Sequence, residues 1–184
     1  ALQDRVQAKQ AGVGTFEVPD WDEASLHTVR DALNVLAATK ADASGMFGDK
    51  AKLNPIDHLL GTAYGWGGNP KEAAVYQNGV PPINDGQTAY VLTARDVPVD
   101  GFWSITVYNA KGFMEPNDRN AYSVNNVTAK RNADGSVTVH FGGDPAATNY
   151  LPITPGLSYV VRMYQPRKPV VDGMWKFPEA QPAK

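Results

Sequence analysis

Residues 101–109, Gly-Phe-Trp-Ser-Ile-Thr-Val-Tyr-Asn, carry the reading of the fold. Trp103, Ile105 and Val107 alternate with Phe102, Ser104, Thr106 and Tyr108. A strand here has one apolar face and one face that mixes aromatic and polar groups. The apolar face is core. The other face raises the functional question. Ser104 would be a nucleophile only on a Gly-x-Ser-x-Gly elbow with a base beside it. Its neighbours are not glycines, and the three histidines (His27, His58 and His140) belong to two helical segments and a hairpin strand. Ser104 therefore reads as a strand hydroxyl.

Strand patterning continues outward from this segment. Thr88 to Ala94 reads as one strand and Leu157 to Gln165 as another, longer one. Val127 to Lys130 and Ser136 to Phe141 read as a hairpin around Asn132-Ala-Asp-Gly135, with Gly135 in the positive-φ position. The tail from Pro166 reads as an extended wrap.

Upstream, the pattern turns helical. Asp20 or Asp22 caps a helix from about Glu23 to Thr39, with Leu26, Val29, Leu33 and Leu36 on one stripe. That stripe needs a partner surface. Asp42 to Lys52 reads as a loop. Asn54-Pro55 opens a second helix, with Leu59, Leu60 and Ala63 on its apolar side, and Asn69-Pro70 opens a short third one to Tyr76. Between these two, the glycines of 61–68 read as a helix end and a tight turn anchored by Trp66. They lack the Gly-Lys-Ser/Thr of a phosphate loop and follow a helix rather than a strand.

Together these signals predict a mainly β protein: a jelly-roll-like antiparallel β-sandwich with an N-terminal helical segment. Residues 1–80 form the helical lead-in packed on the sandwich. Residues 81–184 form the sandwich with its extended tail, and the two make one structural unit.

Composition limits the functions. The 184 residues are 42% hydrophobic, enough for a core without staples. A net charge of −2 gives no basic surplus to draw nucleic acid. No apolar run approaches the roughly 20 residues of a membrane span. With no cysteine, thiol chemistry and disulfides are excluded. No cofactor motif is present. His-x-His, His-x-x-x-His and Glu-x-x-His spacings are also missing, so no metal is expected. Glu23 and His27 share a helix face, but two ligands do not make a site. The first residue is Ala1, not Met, which fits a removed leader and a periplasmic or secreted location; a cysteine-free chain suits the cytoplasm equally.

Several long stretches occur in a familiar order: "YGWGGNPKEAAVY", "VDGFWSITVYN", "NAYSVNN", "NADGSVTVHFG" and "NYLPITPGLSYVVRMYQPRKPVVDGMWKFP". From about Asn54 to Pro178 the chain resembles the domain of unknown function 1214. That domain often follows a companion, the domain of unknown function 1254, in larger proteins; here it reads as a stand-alone copy. The resemblance implies a jelly-roll-like sandwich preceded by helices and no established reaction. Matching positions include Trp103, Ser104, Tyr108, Tyr122, Ser123, Pro152, Arg162, Tyr164, Pro166, Trp175 and Pro178. The family pattern often places an Arg directly before the Tyr of its "RYS" stretch. Here that slot is Ala121, and Arg119 lies two positions earlier.

Arg162 draws the functional reading together. It sits in mid-strand, on the face it shares with Val160 and Tyr164. A covered arginine must find acceptors. One reading pins it to a carbonyl or carboxylate with tyrosines along its stem. The other makes it the anion-binding or hydroxyl-binding group of a ligand site lined by aromatics. Candidate ligand-binding residues are Trp66, Ser104, Tyr108, Arg119, Tyr122, Arg162 and Tyr164. The expected function is a non-catalytic binding or assembly module, exported or envelope-associated, taking a small molecule or carbohydrate or forming homo-oligomers. The alternative is a hydrolase with a loop-borne carboxylate or a Tyr/Arg site.

Overall fold

The computed structural model describes residues 2–12, 14–40, 43 and 45–183. The chain divides into two compact units, Ala1–Ala41 and Asp42–Lys184.

The first unit holds α1 (Leu2–Gln7) and α2 (Glu23–Ala37). Asp22 caps α2: its carboxylate accepts from the amides of Ala24 (3.2 Å) and Ser25 (3.4 Å). These two amides are among the donors that a helix start leaves unpaired. Within this unit the apolar stripe stays open, with Leu26, Val29 and Leu36 all about half exposed.

The second unit begins with a loop whose expected start, Asp42, lies outside the described residues. Then comes α3 (Pro55–Gly65). Asn54 caps it through the amides of Ile56 (2.9 Å) and Asp57 (3.4 Å), with Pro55 in the first turn. Two glycines bring the preceding loop against it. A Cβ at Gly61 would lie 2.6 Å from Met46 Cβ, and one at Gly68 would lie 2.3 Å from the Phe47 ring. Met46 and Leu60 are buried in that contact. The helix ends at Trp66, which is 85% exposed, so the expected anchoring role for Trp66 is corrected. Phe47, lying on Gly68, holds the turn instead.

Among the described residues eight strands follow: β1 (Ala74–Gly79), β2 (Tyr90–Ala94), β3 (Trp103–Tyr108), β4 (Ser123–Asn125), β5 (Val137–Phe141), β6 (Tyr150–Leu151), β7 (Ser158–Tyr164) and β8 (Gln181–Pro182), with a short α4 (Lys168–Val171) before the last. They form two four-stranded sheets, ordered β1-β7-β3-β4 and β6-β5-β2-β8. All pairings are antiparallel except β5 with β6. Both sheets feed one core. Trp103, Ile105, Val107, Tyr159, Val161 and Met163 come from the first sheet, and Tyr90, Leu92, Val137, Val139 and Phe141 from the second. The Phe141 and Tyr159 rings meet across the gap at 5.2 Å. The unit is thus a mainly β, antiparallel-rich sandwich.

Two expected elements are corrected. The helix expected over 69–76 is a single turn, in which Ala73 and Ala74 donate to Pro70 O at 2.8 and 3.0 Å, and it opens directly into β1. Asn69-Pro70 starts a turn, but backbone pairing with β7 continues the chain as strand. The hairpin expected around 132–135 also fails to form. Its turn exists, with Gly135 at φ +83° and Asn132 N donating to Ser136 O at 2.8 Å. Residues 127–130, however, are not a strand. The Asn125 side chain takes the amides of Val127 and Thr128 and curls the chain there, while β4 pairs with β3 instead.

The tail ties the two sheets together. Gln77 on β1 clamps Phe177 at both ends, donating to its carbonyl (2.8 Å) and accepting from its amide (3.0 Å). Ala180 N donates to the Tyr159 hydroxyl at 3.2 Å. The chain then pairs as β8 with β2. Phe177 is fully buried, edge-on to both Trp103 and Trp175.

Candidate functional site

The outer face of the first sheet follows from strand parity. In β7 the inward residues are Tyr159, Val161 and Met163, so Val160, Arg162 and Tyr164 point out. The register sets Arg162 opposite Tyr76 on β1 and Ser104 on β3, and Ser104 opposite Asn125 on β4. One row therefore crosses the sheet as Tyr76, Arg162, Ser104 and Asn125. The next row is Asn78, Val160, Thr106 and Ser123.

Arg162 leans along the sheet rather than across it. Its Nη2 donates to the Tyr108 hydroxyl at 2.7 Å, and its guanidinium carbon lies 5.8 Å from the centre of that ring. Tyr108 is four residues beyond Ser104, so the bridge passes over Thr106, which is only 9% exposed on an otherwise open face. Arg162 forms no ion pair with a carboxylate among the described residues. Its acceptor is a neutral hydroxyl, which leaves the positive charge uncompensated and other N–H donors free for a ligand. Two more tyrosines share this face with Arg162. Tyr164 stacks on Phe102 at 4.5 Å with an interplanar angle of 19°, and the Tyr76 hydroxyl accepts from Asn69 Nδ2 at 2.8 Å.

Of the seven sequence candidates, Ser104, Tyr108, Arg162 and Tyr164 share the outer face of the first sheet, with Tyr108 and Tyr164 at opposite ends of the β3–β7 ladder. Ser104 lies opposite a cation, not beside a base. The other three lie elsewhere. Trp66 stands at the end of α3. Arg119, on an exposed loop, holds its guanidinium 5.8 Å over Tyr150, a residue of the second sheet. Tyr122 precedes β4 in phase with inward Val124, and its carbonyl accepts from Val107 N at 3.1 Å. Sequence reasoning missed Tyr76, Asn78 and Asn125. Residues 74–79, Ala-Val-Tyr-Gln-Asn-Gly, do not alternate apolar with polar, so no local period marked the first two.

Beside this face, at the end of β3, lies a cavity of about 30 Å³ lined in part by Tyr108, Asn109, Glu115 and Thr154. It has room for about one water molecule. Glu115 accepts from Asn109 Nδ2 at 2.6 Å. Among the described residues no group of three or more His, Asp or Glu converges as a metal site, and no helix is long and apolar enough to cross a membrane. The perturbed titrations lie away from the face. Burial raises the Tyr159 hydroxyl, with Glu179 adding to the effect and the Ala180 amide opposing it. Asp85 is lowered by the amides of Thr88 and Gln87 and by the Thr88 hydroxyl. Asp134 is lowered mainly by the Ser136 hydroxyl and amide.

No curated protein matches the chain. Among solved structures, it is similar to the VPA0106 protein from Vibrio parahaemolyticus, with a TM-score of 0.67 and 24% identity over 100% of this chain and 50% of that one. The chain thus spans about half the length of that relative. A second similar structure is a putative uncharacterized protein from Burkholderia cenocepacia, with a TM-score of 0.41 and 18% identity over 89% of this chain and 42% of that one. The family model described as "Protein of unknown function (DUF1214)" matches residues 75–168, from β1 through β7, and the chain belongs to that family.

Proposed function

We propose that the chain is a non-catalytic binding module, and that the outer face of its first sheet takes a small, hydroxyl-rich ligand carrying a negative charge. The observation that carries this reading is Arg162: mid-sheet, hydrogen-bonded to the Tyr108 hydroxyl and, among the described residues, to no carboxylate, on a face it shares with Tyr76, Tyr108 and Tyr164. Such a guanidinium offers paired donors to a carboxylate, and the tyrosines offer ring faces and hydroxyls to a sugar. The surface is open, which suits binding rather than sequestering a reaction from water. Strand pairing supports the finer fold as well. The first strand β1 lies beside the late strand β7, and β2 lies beside β5 in the other sheet, the nested order of a jelly roll.

The test is titration of the protein with glucuronate and with glucose, read by thermal shift and calorimetry. Glucuronate is expected to raise the melting temperature and glucose to do so less, with the glucuronate response lost in Arg162→Met. If neither sugar acid nor neutral sugar binds, or if Arg162→Met binds as the parent does, the reading fails.

A further inference from the structure

Antiparallel pairing fixes which backbone groups each strand spends on its neighbour. Gln165 N donates to Ala73 O at 2.9 Å, so Ala73 and Gln165 are a hydrogen-bonded pair. The ladder alternates from there. Val75, Gln77 and Gly79 turn their N–H and C=O groups to β7, while Tyr76 and Asn78 turn theirs away. The other flank of β7 agrees, since Tyr164 N points away from β1 and donates to Phe102 O, just before β3, at 2.8 Å. β1 ends its sheet. Among the described residues, no hydrogen bond is made by the backbone of Tyr76 or Asn78.

This edge differs from the other three. β4 has three residues, while β6 and β8 have two each, and β8 ends in Pro182, which has no N–H. Proteins guard long edges with charge, proline or bulges. β1 has six residues and none of these devices, and residues 73–84 contain no charged side chain.

We propose that β1 pairs with β1 of a second copy across a two-fold axis at Gln77. This register sets Tyr76 opposite the partner's Asn78, and Asn78 opposite the partner's Tyr76. All four free backbone groups then find partners at once, in four hydrogen bonds. A single two-fold contact is self-complementary and closes, so it satisfies the edge without any other protein. Val80 and Ile83, both more than half exposed, lie just beyond the strand and add uncharged surface. The two first sheets become one eight-stranded sheet, with both Arg162 rows on one continuous face. The pairing does not depend on the ligand reading.

Sedimentation velocity over about a hundredfold range of concentration is expected to show a reversible shift from one to two chain masses. Asn78→Pro removes an outward N–H that the folded sheet does not use. It is expected to remain monomeric with an unchanged circular dichroism spectrum. The chain has no cysteine, so a second test is direct. A mixture of Tyr76→Cys and Asn78→Cys proteins is expected to form a mixed disulfide under mild oxidation, in preference to either homodimer, because the proposed pairing holds those Cα atoms about 5.5 Å apart. This arm decides the matter if the proline variant fails to fold. The inference is overturned by a parent that stays monomeric throughout, by a folded Asn78→Pro that still dimerises, or by a dimer in which the mixed pair does not cross-link.

Discussion

Gly79→Ala tests how the core is closed. Gly79 stands opposite Tyr159 in the β1–β7 ladder, and its backbone is not in the left-handed region. An added methyl is therefore opposed by space alone. That space is already filled: a Cβ would lie 2.0 Å from Tyr159 Cζ and 2.4 Å from its hydroxyl oxygen. Carbon atoms rest at roughly 3.5–4.0 Å, so the ring must retreat by about 1.5 Å. Tyr159 is 3% exposed, packs on Phe141 and accepts from Ala180 N. Overpacking of this kind costs about 1–3 kcal/mol. Leaving the Ala180 amide unpaired costs about 1–3 kcal/mol more. Removing a strand glycine returns about 0.5–1 kcal/mol. Mid-range values of the three terms give a net loss of about 2–4 kcal/mol. Urea unfolding followed by tryptophan fluorescence at fixed protein concentration should show the midpoint falling by about 1–2 M, for a slope near 2 kcal/mol/M. Combining Gly79→Ala with Tyr159→Val removes the clash, and the double variant should cost at least about 1 kcal/mol less than the sum of the singles. A Gly79→Ala protein that unfolds with the parent, or a strictly additive double variant, would refute the steric argument.

Phe177→Ala should cost about 3–5 kcal/mol in the same assay, because it empties the contact between Trp103 and Trp175 that closes the sandwich. At the alkaline end, Tyr159 is raised by burial, so the unfolded chain ionises first. Stability is full below the ordinary tyrosine value of about 10 and falls as pH rises from there through the folded value, and Tyr159→Phe should flatten that limb of a pH-resolved melting series. At the acid end, Asp85 is lowered by hydrogen bonds to its carboxylate from Thr88 and Gln87. Its contribution is present above its unfolded value of 3.8 and is lost as pH falls through the lower folded value, so Asp85→Asn should weaken the decline in melting temperature at low pH.

What could be read from the sequence was what alternates locally. β2, β3, β5 and β7 lie inside the expected segments, because their period-two patterns are carried by consecutive residues. The capping signals at Asp22 and Asn54 are equally local, and both are used as expected. β1 could not be read this way. Asn69-Pro70 is a sound helix start, and only pairing with β7, as in Val75 opposite Met163, turns the chain to strand after one turn. The false hairpin has a similar cause. Its turn residues at 132–135 are right, but the Asn125 side chain consumes the amides that residues 127–130 would need as a strand. Parity also explains the site. Ser104 and Tyr108 share one face of β3, and Arg162 and Tyr164 share one face of β7, so these four share one face of the sheet once the strands are neighbours. Arg119 and Trp66 lie in a loop and a helix end, and Tyr122 precedes its strand. For these, no period says which way the side chain turns.

The inner and outer faces of β7 are tied by a single residue. Side chains alternate, so a one-residue slip would move Arg162 and Tyr164 inward and Val161 and Met163 outward. The slipped state would place a guanidinium in a core whose wall is Leu92, Val139 and Phe141, where nothing accepts its protons. It would also carry Tyr159 away from Gly79, the residue of β1 whose missing side chain makes room for that ring. Gly79 therefore does more than allow tight packing. By fitting Tyr159 it fixes the register of β7 against β1, and that register places Arg162 between Tyr76 and Ser104 on the outside. The core thus sets the geometry of the outer face, while the outer face is free of the core's demand for apolar groups. A charge with only a tyrosine for company can persist there without unsettling the fold that positions it.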